Sequence, residues 1–155
     1  IELVSGCELS VRVLVDYPVS HDRLARYTIG NSNFILLELS FNAPPFDWEY
    51  LISDIKRLGY HIIIAHPERY PYVAKNIGFV QSLISYGCEL QIDASSLCAK
   101  RFSSVRRAAL SMLDRDLVSY IASDAHKASD FEMFASVYRG FKKCWPNDGL
   151  LNNHI

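Results

Sequence analysis

The stretch HIIIAHPERY, residues 61–70, runs from three isoleucines and an alanine straight into His66, Pro67, Glu68 and Arg69. The same ending recurs along the chain. FILLE closes on Glu38, LQID on Asp93 with Ser95 and Ser96 following, and LVSYIAS leads to Asp124 with His126 two residues on; Glu8 stands beside the first apolar run. Carboxylate oxygen and imidazole nitrogen suit hard or borderline divalent cations. A carboxylate can bridge two ions, and two ions can polarise a phosphoryl group while activating water. Arg69 adds a planar fork for a phosphate oxygen. Asp124 and His126 are i and i+2, so an extended backbone would point them the same way. Pro67 keeps His66 out of the right-handed helical region and helps end the run there.

Such groups work together only if separate elements deliver them to one mouth. The chain has the rhythm for it. CELSVRVLVDYP, NFILLELS (33–40), HIIIAH (61–66), CELQIDAS (88–95) and LVSYIASDAH (117–126) read as strands, and the last four each lead into an amphipathic stretch. The first of these helices sets Trp48, Leu51, Ile52, Ile55 and Leu58 on one face and closes at Gly59. The second carries Val73, Ile77, Val80, Leu83 and Ile84 as far as Gly87. The third turns Phe102, Val105, Ala109, Met112 and Leu113 inward and Arg106 and Arg107 outward; the fourth carries Phe131, Phe134, Val137, Tyr138 and Phe141. Alternating strands and helices predict an α/β fold with parallel strands and outer helices, as an open sheet or a barrel. Active sites of such folds sit at the carboxyl ends of the strands.

Other chemistries find little support. The chain has 155 residues, 50% hydrophobic, enough for a single domain with a real core. A net charge of −1 without a basic face argues against nucleic-acid binding. No apolar run is long enough to span a membrane, and no signal peptide is visible. Cys7, Cys88, Cys98 and Cys144 form no CxxC pair and read as reduced thiols of a cytoplasmic protein. There is no GxSxG, no C-x5-R loop and no glycine-rich nucleotide fingerprint. His61 begins its strand, at the end opposite His66; His21 and His154 lack partners, and Asp16 reads as a turn residue.

GCELSV, FILLELSFNAPP, LGYHIIIAHPERYPYV, GCELQIDASSL and DLVSYIASDAH occur in this order over nearly the whole chain. In this they resemble the bacterial PHP-superfamily protein-tyrosine phosphatases of capsule and exopolysaccharide biosynthesis, the CpsB/CapC type. IAHPERY followed by ASDAH is the most specific pair. The resemblance implies a distorted TIM-like β/α barrel. It implies hydrolysis of phosphotyrosine on a partner tyrosine autokinase by direct attack of activated water, without a phosphoenzyme. Two to three divalent ions, usually Mn2+, are expected in the complete family site. Matched residue by residue, Glu8, Glu38, His66, Asp124 and His126 fall on metal ligands and Arg69 on the phosphate-contacting arginine. His66, Asp124 and Arg69 are thus the catalytic candidates. Ser96 and Lys127 are further candidates for substrate contact, Lys127 standing where the family often has an arginine. The family opens with an H-x-H strand upstream of the GCE segment. The chain is therefore expected to be the C-terminal portion, residues 1–155, of a larger barrel, with the first βα units absent. Three readings stay open: this phosphatase, a catalytically incomplete barrel acting as a binding or regulatory module, and a PHP phosphoesterase for a small-molecule phosphate. Self-association to a homo-oligomer is compatible with each.

Overall fold

The computed structural model describes residues 3–15 and 18–141. Asp16, Cys144 and His154 lie outside them. Five strands, β1 (Glu8–Ser10), β2 (Phe34–Glu38), β3 (His61–Ala65), β4 (Glu89–Asp93) and β5 (Tyr120–Ala122), form one parallel sheet in sequence order. Around them run α1 (Arg12–Val15), α2 (His21–Leu24), α3 (Trp48–Arg57), α4 (Pro71–Lys75), α5 (Gly78–Ser85), α6 (Ala94–Cys98), α7 (Ser104–Asp114) and α8 (Ala128–Phe141).

Strand alternation separates the two faces of the sheet. Leu9, Ile35, Leu37, Ile62, Ile64, Leu90, Ile92 and Ile121 all belong to the buried core, with Trp48, Ile52 and Ile55 of α3 and Val80 and Leu83 of α5. The paired register puts Glu8, Leu36, Ile63 and Glu89 level with one another on the opposite face, which also carries Glu38 and Asp93. One face of the sheet is thus hydrocarbon against helices, and the other carries acids. β3 is buried on both sides, from Ile62 to Ala65, as a central parallel strand should be.

The helices depart from the periodicity in four places. The first apolar run is a strand only over Glu8–Ser10; after Val11 donates to the Glu38 carbonyl (2.8 Å), the chain turns into α1. The helix expected after β3 is broken in two at Asn76, whose backbone is extended and whose Oδ1 accepts from the Gly78 N–H (3.0 Å). That local bond offers the backbone an alternative to the helix. Phe102 is 82% exposed, because α7 starts only after Ser103, whose hydroxyl caps the Arg106 N–H (3.2 Å). Phe131 is likewise exposed on α8. By contrast α3 closes as expected at Gly59, with φ +90°.

Cys88 lies buried at the entry to β4, and burial pushes its thiol up to about 12, whereas Cys7 and Cys98 are exposed. The thiolate is the nucleophile, so burial keeps Cys88 in its unreactive thiol form near neutral pH. Peptide mapping after iodoacetamide treatment should show Cys7 and Cys98 modified first, with Cys88 modified only as fast as the fold opens.

Candidate functional site

The register explains how distant strands can supply one site. From the level of Glu8 and Leu36, Glu38 is two residues further along β2 (36 to 38), His66 three along β3 (63 to 66) and Asp93 four along β4 (89 to 93). The candidate groups climb diagonally across the sheet, as stagger does in a barrel wall. In a flat sheet, three residues and two strand spacings would hold the Cα atoms of Glu8 and His66 about 14 Å apart. Yet His66 Nε2 lies 3.4 Å from Glu8 Oε2 and 4.0 Å from Glu38 Oε1. Twist and coiling of the sheet, with the reach of the side chains, close that gap.

His66 needs one further device. Alternation would aim it, like Ile62 and Ile64, into the helix layer. Instead it adopts a left-handed backbone, φ 33° and ψ 51°, and Pro67 follows. The sequence excluded the right-handed region before Pro67; the structure selects the left-handed one rather than an extended one. Asp124 is also left-handed, at φ 44°, and β5 has ended at Ala122. The extended backbone expected to align Asp124 with His126 is therefore not present. His126 is exposed, with Nδ1 2.8 Å from the Asp124 carbonyl oxygen and 3.9 Å from Asp124 Oδ1. Non-glycine residues in this region cost about 1–3 kcal/mol and cluster at functional sites.

A cleft of about 290 Å³ opens over these groups, walled by Glu8, Glu38, His66, Arg69, Asp124 and His126, with Phe41 and Tyr70. Glu8, Glu38 and His66 each offer a ligand atom within 4.8 Å of the others. Ligands about 2.1 Å from one ion are themselves roughly 3 Å apart, so a small adjustment would bring this carboxylate–imidazole set onto a divalent cation. Asp124 stands across the cleft, its Oδ2 2.9 Å from an Arg69 nitrogen. Arg69 also donates to Asp93. Burial works against the guanidinium's charge, but Asp93, Asp124 and Glu68 outweigh it and raise the Arg69 pKa. A second hollow of about 240 Å³ shares Arg69, Asp124 and His126 and adds Ser95 and Ser123.

Two sequence candidates stand apart. Ser96 is 2% exposed, donates to Glu68 Oε1 (2.7 Å) and lines neither hollow, so it braces the floor. Ser95, its neighbour, lines the hollow. Lys127 is exposed, its backbone N–H donates to Asp130 (3.1 Å), and its side chain is not among the described groups lining either hollow.

Glu68 and Phe41 escaped the sequence, and the full role of Asp93 did too. Glu68 is 0% exposed and accepts from the Asp93 N–H (3.0 Å) and Ser96 Oγ with one oxygen. Burial raises its pKa, though the bonds from Ser96 and Asp93 act in the opposite direction. Asp93, seen only as a strand end, caps α6 through the Ser95 N–H (2.8 Å) while holding Arg69. Phe41, 55% exposed, lines the cleft with the ligand cluster.

The family model described as capsular polysaccharide synthesis, CpsB/CapC, matches residues 1–132. The chain belongs to this family. Staphylococcus aureus CapC is 36% identical over 102 residues, 66% of this chain and 40% of that protein. The tyrosine-protein phosphatase YwqE of Bacillus subtilis is 26% identical over 140 residues, 89% of this chain and 54% of YwqE. Crystal structures of YwqE and of CpsB from Streptococcus pneumoniae describe both as metal-dependent tyrosine phosphatases; the matching chain has a TM-score of 0.72 at 25% identity, over 87% of this chain and 56% of that one. The likeness carries their PHP-type α/β fold to this CpsB/CapC member. The chain spans about half the length of the relatives it matches.

Glu68 is the floor of this CpsB/CapC site, and its removal should be felt in the fold. Glu68→Ala leaves the Asp93 N–H and Ser96 hydroxyl buried without an acceptor, at about 1–3 kcal/mol each. Glu68→Gln keeps a carbonyl oxygen there and should cost less than about 1 kcal/mol. Urea unfolding of both variants checks the contrast; equal losses would refute the hydrogen-bonding role.

Proposed function

We propose that the protein acts as a metal-dependent phosphoesterase on phosphotyrosine, with a bacterial tyrosine autokinase as the partner substrate, in the control of capsule or exopolysaccharide synthesis. The observation that carries this reading is the Glu8–Glu38–His66 cluster facing Arg69 across one cleft. Membership of the CpsB/CapC family and the names of the relatives give it context.

Glu8, Glu38 and His66 would hold the metal, with Asp124 and His126 as further ligands at the far wall; Mn2+ is the proposed ion. When bound, the metal supplies positive charge for the phosphoryl oxygens and an activated water. The other work falls to the chain itself. Arg69, fixed by Asp93 and Asp124, presents its remaining N–H groups to a phosphoryl oxygen, a charge-assisted bond that strengthens as negative charge develops there. Phe41 gives the tyrosyl ring a face to lie against, which favours an aryl over a small alkyl phosphate. Nothing requires a cysteine nucleophile: Cys88 is buried and held protonated. No helix among the described residues is long and apolar enough to cross a membrane. A cytoplasmic site of action fits the proposed substrate.

With Mn2+ and a phosphotyrosine peptide, the protein should release phosphate, and a chelator should stop it. Arg69→Ala should lower kcat/KM by about 10²–10³-fold, the usual worth of a donor to a developing oxyanion. Arg69→Lys should recover little, because a point charge lacks the fork. Turnover that ignores chelator, or that survives His66→Ala at full rate, would rule the reading out.

A further inference from the structure

We propose that Tyr70 is a positioning residue that sets the separation of Glu38 and His66, and so the metal affinity of the site. The proposal rests on the metal-site reading above. The Tyr70 hydroxyl accepts from the Leu39 N–H (2.9 Å) and donates to the Ala65 carbonyl (2.9 Å). Leu39 directly follows Glu38, and Ala65 directly precedes His66. One oxygen therefore joins the carboxyl ends of β2 and β3 at the two backbone positions next to the two ligands. The β2–β3 ladder ends at Leu37 and Ile64, so although Glu38 still pairs with β1 and Ala65 with β4, ladder pairing no longer joins these two strand ends to each other. The phenol takes over where the ladder stops.

The surroundings make this a rigid part. Tyr70 is 1% exposed, among the largest fully buried side chains. Its ring meets His66 edge-on at 5.9 Å and stacks on Tyr72 at 5.4 Å. Burial, reinforced by the charges of Glu38 and Glu8, raises its phenol well above the ordinary tyrosine range, so the O–H keeps the proton it donates to Ala65. Partners behind metal ligands orient them, and losing one costs about 10–100-fold in affinity.

Tyr72 provides the matched control. Its hydroxyl donates to the Ser40 carbonyl (3.1 Å), two residues past Glu38, and so holds neither backbone group that directly flanks a ligand. Tyr70→Phe and Tyr72→Phe each delete one phenolic oxygen and keep the ring. Mn2+ affinity would be measured by calorimetry on the metal-free proteins, well below their melting temperatures, with the melting temperature of each recorded. Tyr70→Phe should weaken Mn2+ binding about 10-fold or more. Tyr72→Phe should change it less than about 2-fold at a comparable loss of melting temperature, a pattern that general destabilisation would not produce. Wild-type affinity in Tyr70→Phe, or equal weakening in both variants, would overturn the proposal while leaving the metal site standing. A wild-type protein that binds no Mn2+ would remove the metal-site reading, and this proposal with it.

Discussion

Side chains on a strand alternate, and everything at this site depends on breaking that rule once. β3 alternates Ile62 and Ile64 toward the helices with Ile63 and Ala65 toward the acidic face. His66, next in line, would be lost in the core. The left-handed turn at His66 sends the imidazole to Glu8 and Glu38 instead. Such a turn costs energy, so its surroundings must hold it. The residues that do so are the next four. Pro67 bars the helical alternative. Glu68 reaches the backbone of Asp93 on β4, Arg69 reaches Asp93 and Asp124, and Tyr70 reaches back to the end of β2. One pentapeptide thus ties the carboxyl end of β3 to β2, to β4 and to the segment after β5. An aromatic column running from Tyr70 through Tyr72 and Phe79 to Trp48 carries this anchoring into α3.

This arrangement marks the limit of what the sequence could tell. An apolar run ending in a polar group is visible as a pattern, and it led to Glu38, His66, Asp93 and Asp124 without any coordinates. Parallel strands joined by helices were legible for the same reason, since burial on both faces leaves β-branched runs such as HIIIA. Glu68 was not legible. A carboxyl with no exposed surface has the same letter as one in water, and only the backbone amide that Asp93 presents distinguishes them. Ser95 and Ser96 show the converse: adjacent identical residues exchange roles, one lining the hollow and one bracing the floor, because a helix begins between Asp93 and them. Phe102 read as core by spacing alone, but with its cap at Ser103 the helix begins at Ser104 and leaves Phe102 outside it.

The charges of the cleft then limit what can bind there. Across the cleft and the adjoining hollow, Glu8, Glu38, Asp93, Asp124 and Asp130 are formally five negative charges, set against the one guanidinium of Arg69 among the described lining residues. Two of the five already engage that guanidinium. At separations of about 4 Å and an effective dielectric near 20, each unmatched pair of like charges costs on the order of 4 kcal/mol. A phosphate dianion entering this field would be repelled by more than Arg69 could offset. The sign of the site reverses only when cations sit among the carboxylates. Arginine alone therefore cannot make this cleft a phosphate site, and the acidic cluster and the phosphate chemistry have to be parts of one device. In that device Asp124 faces two ways, toward Arg69 and toward the ligand cluster. That one carboxylate would steady the guanidinium and stand beside the residues that would hold the metal, so the position of Arg69 and the geometry of the ligand cluster are set by the same side chain.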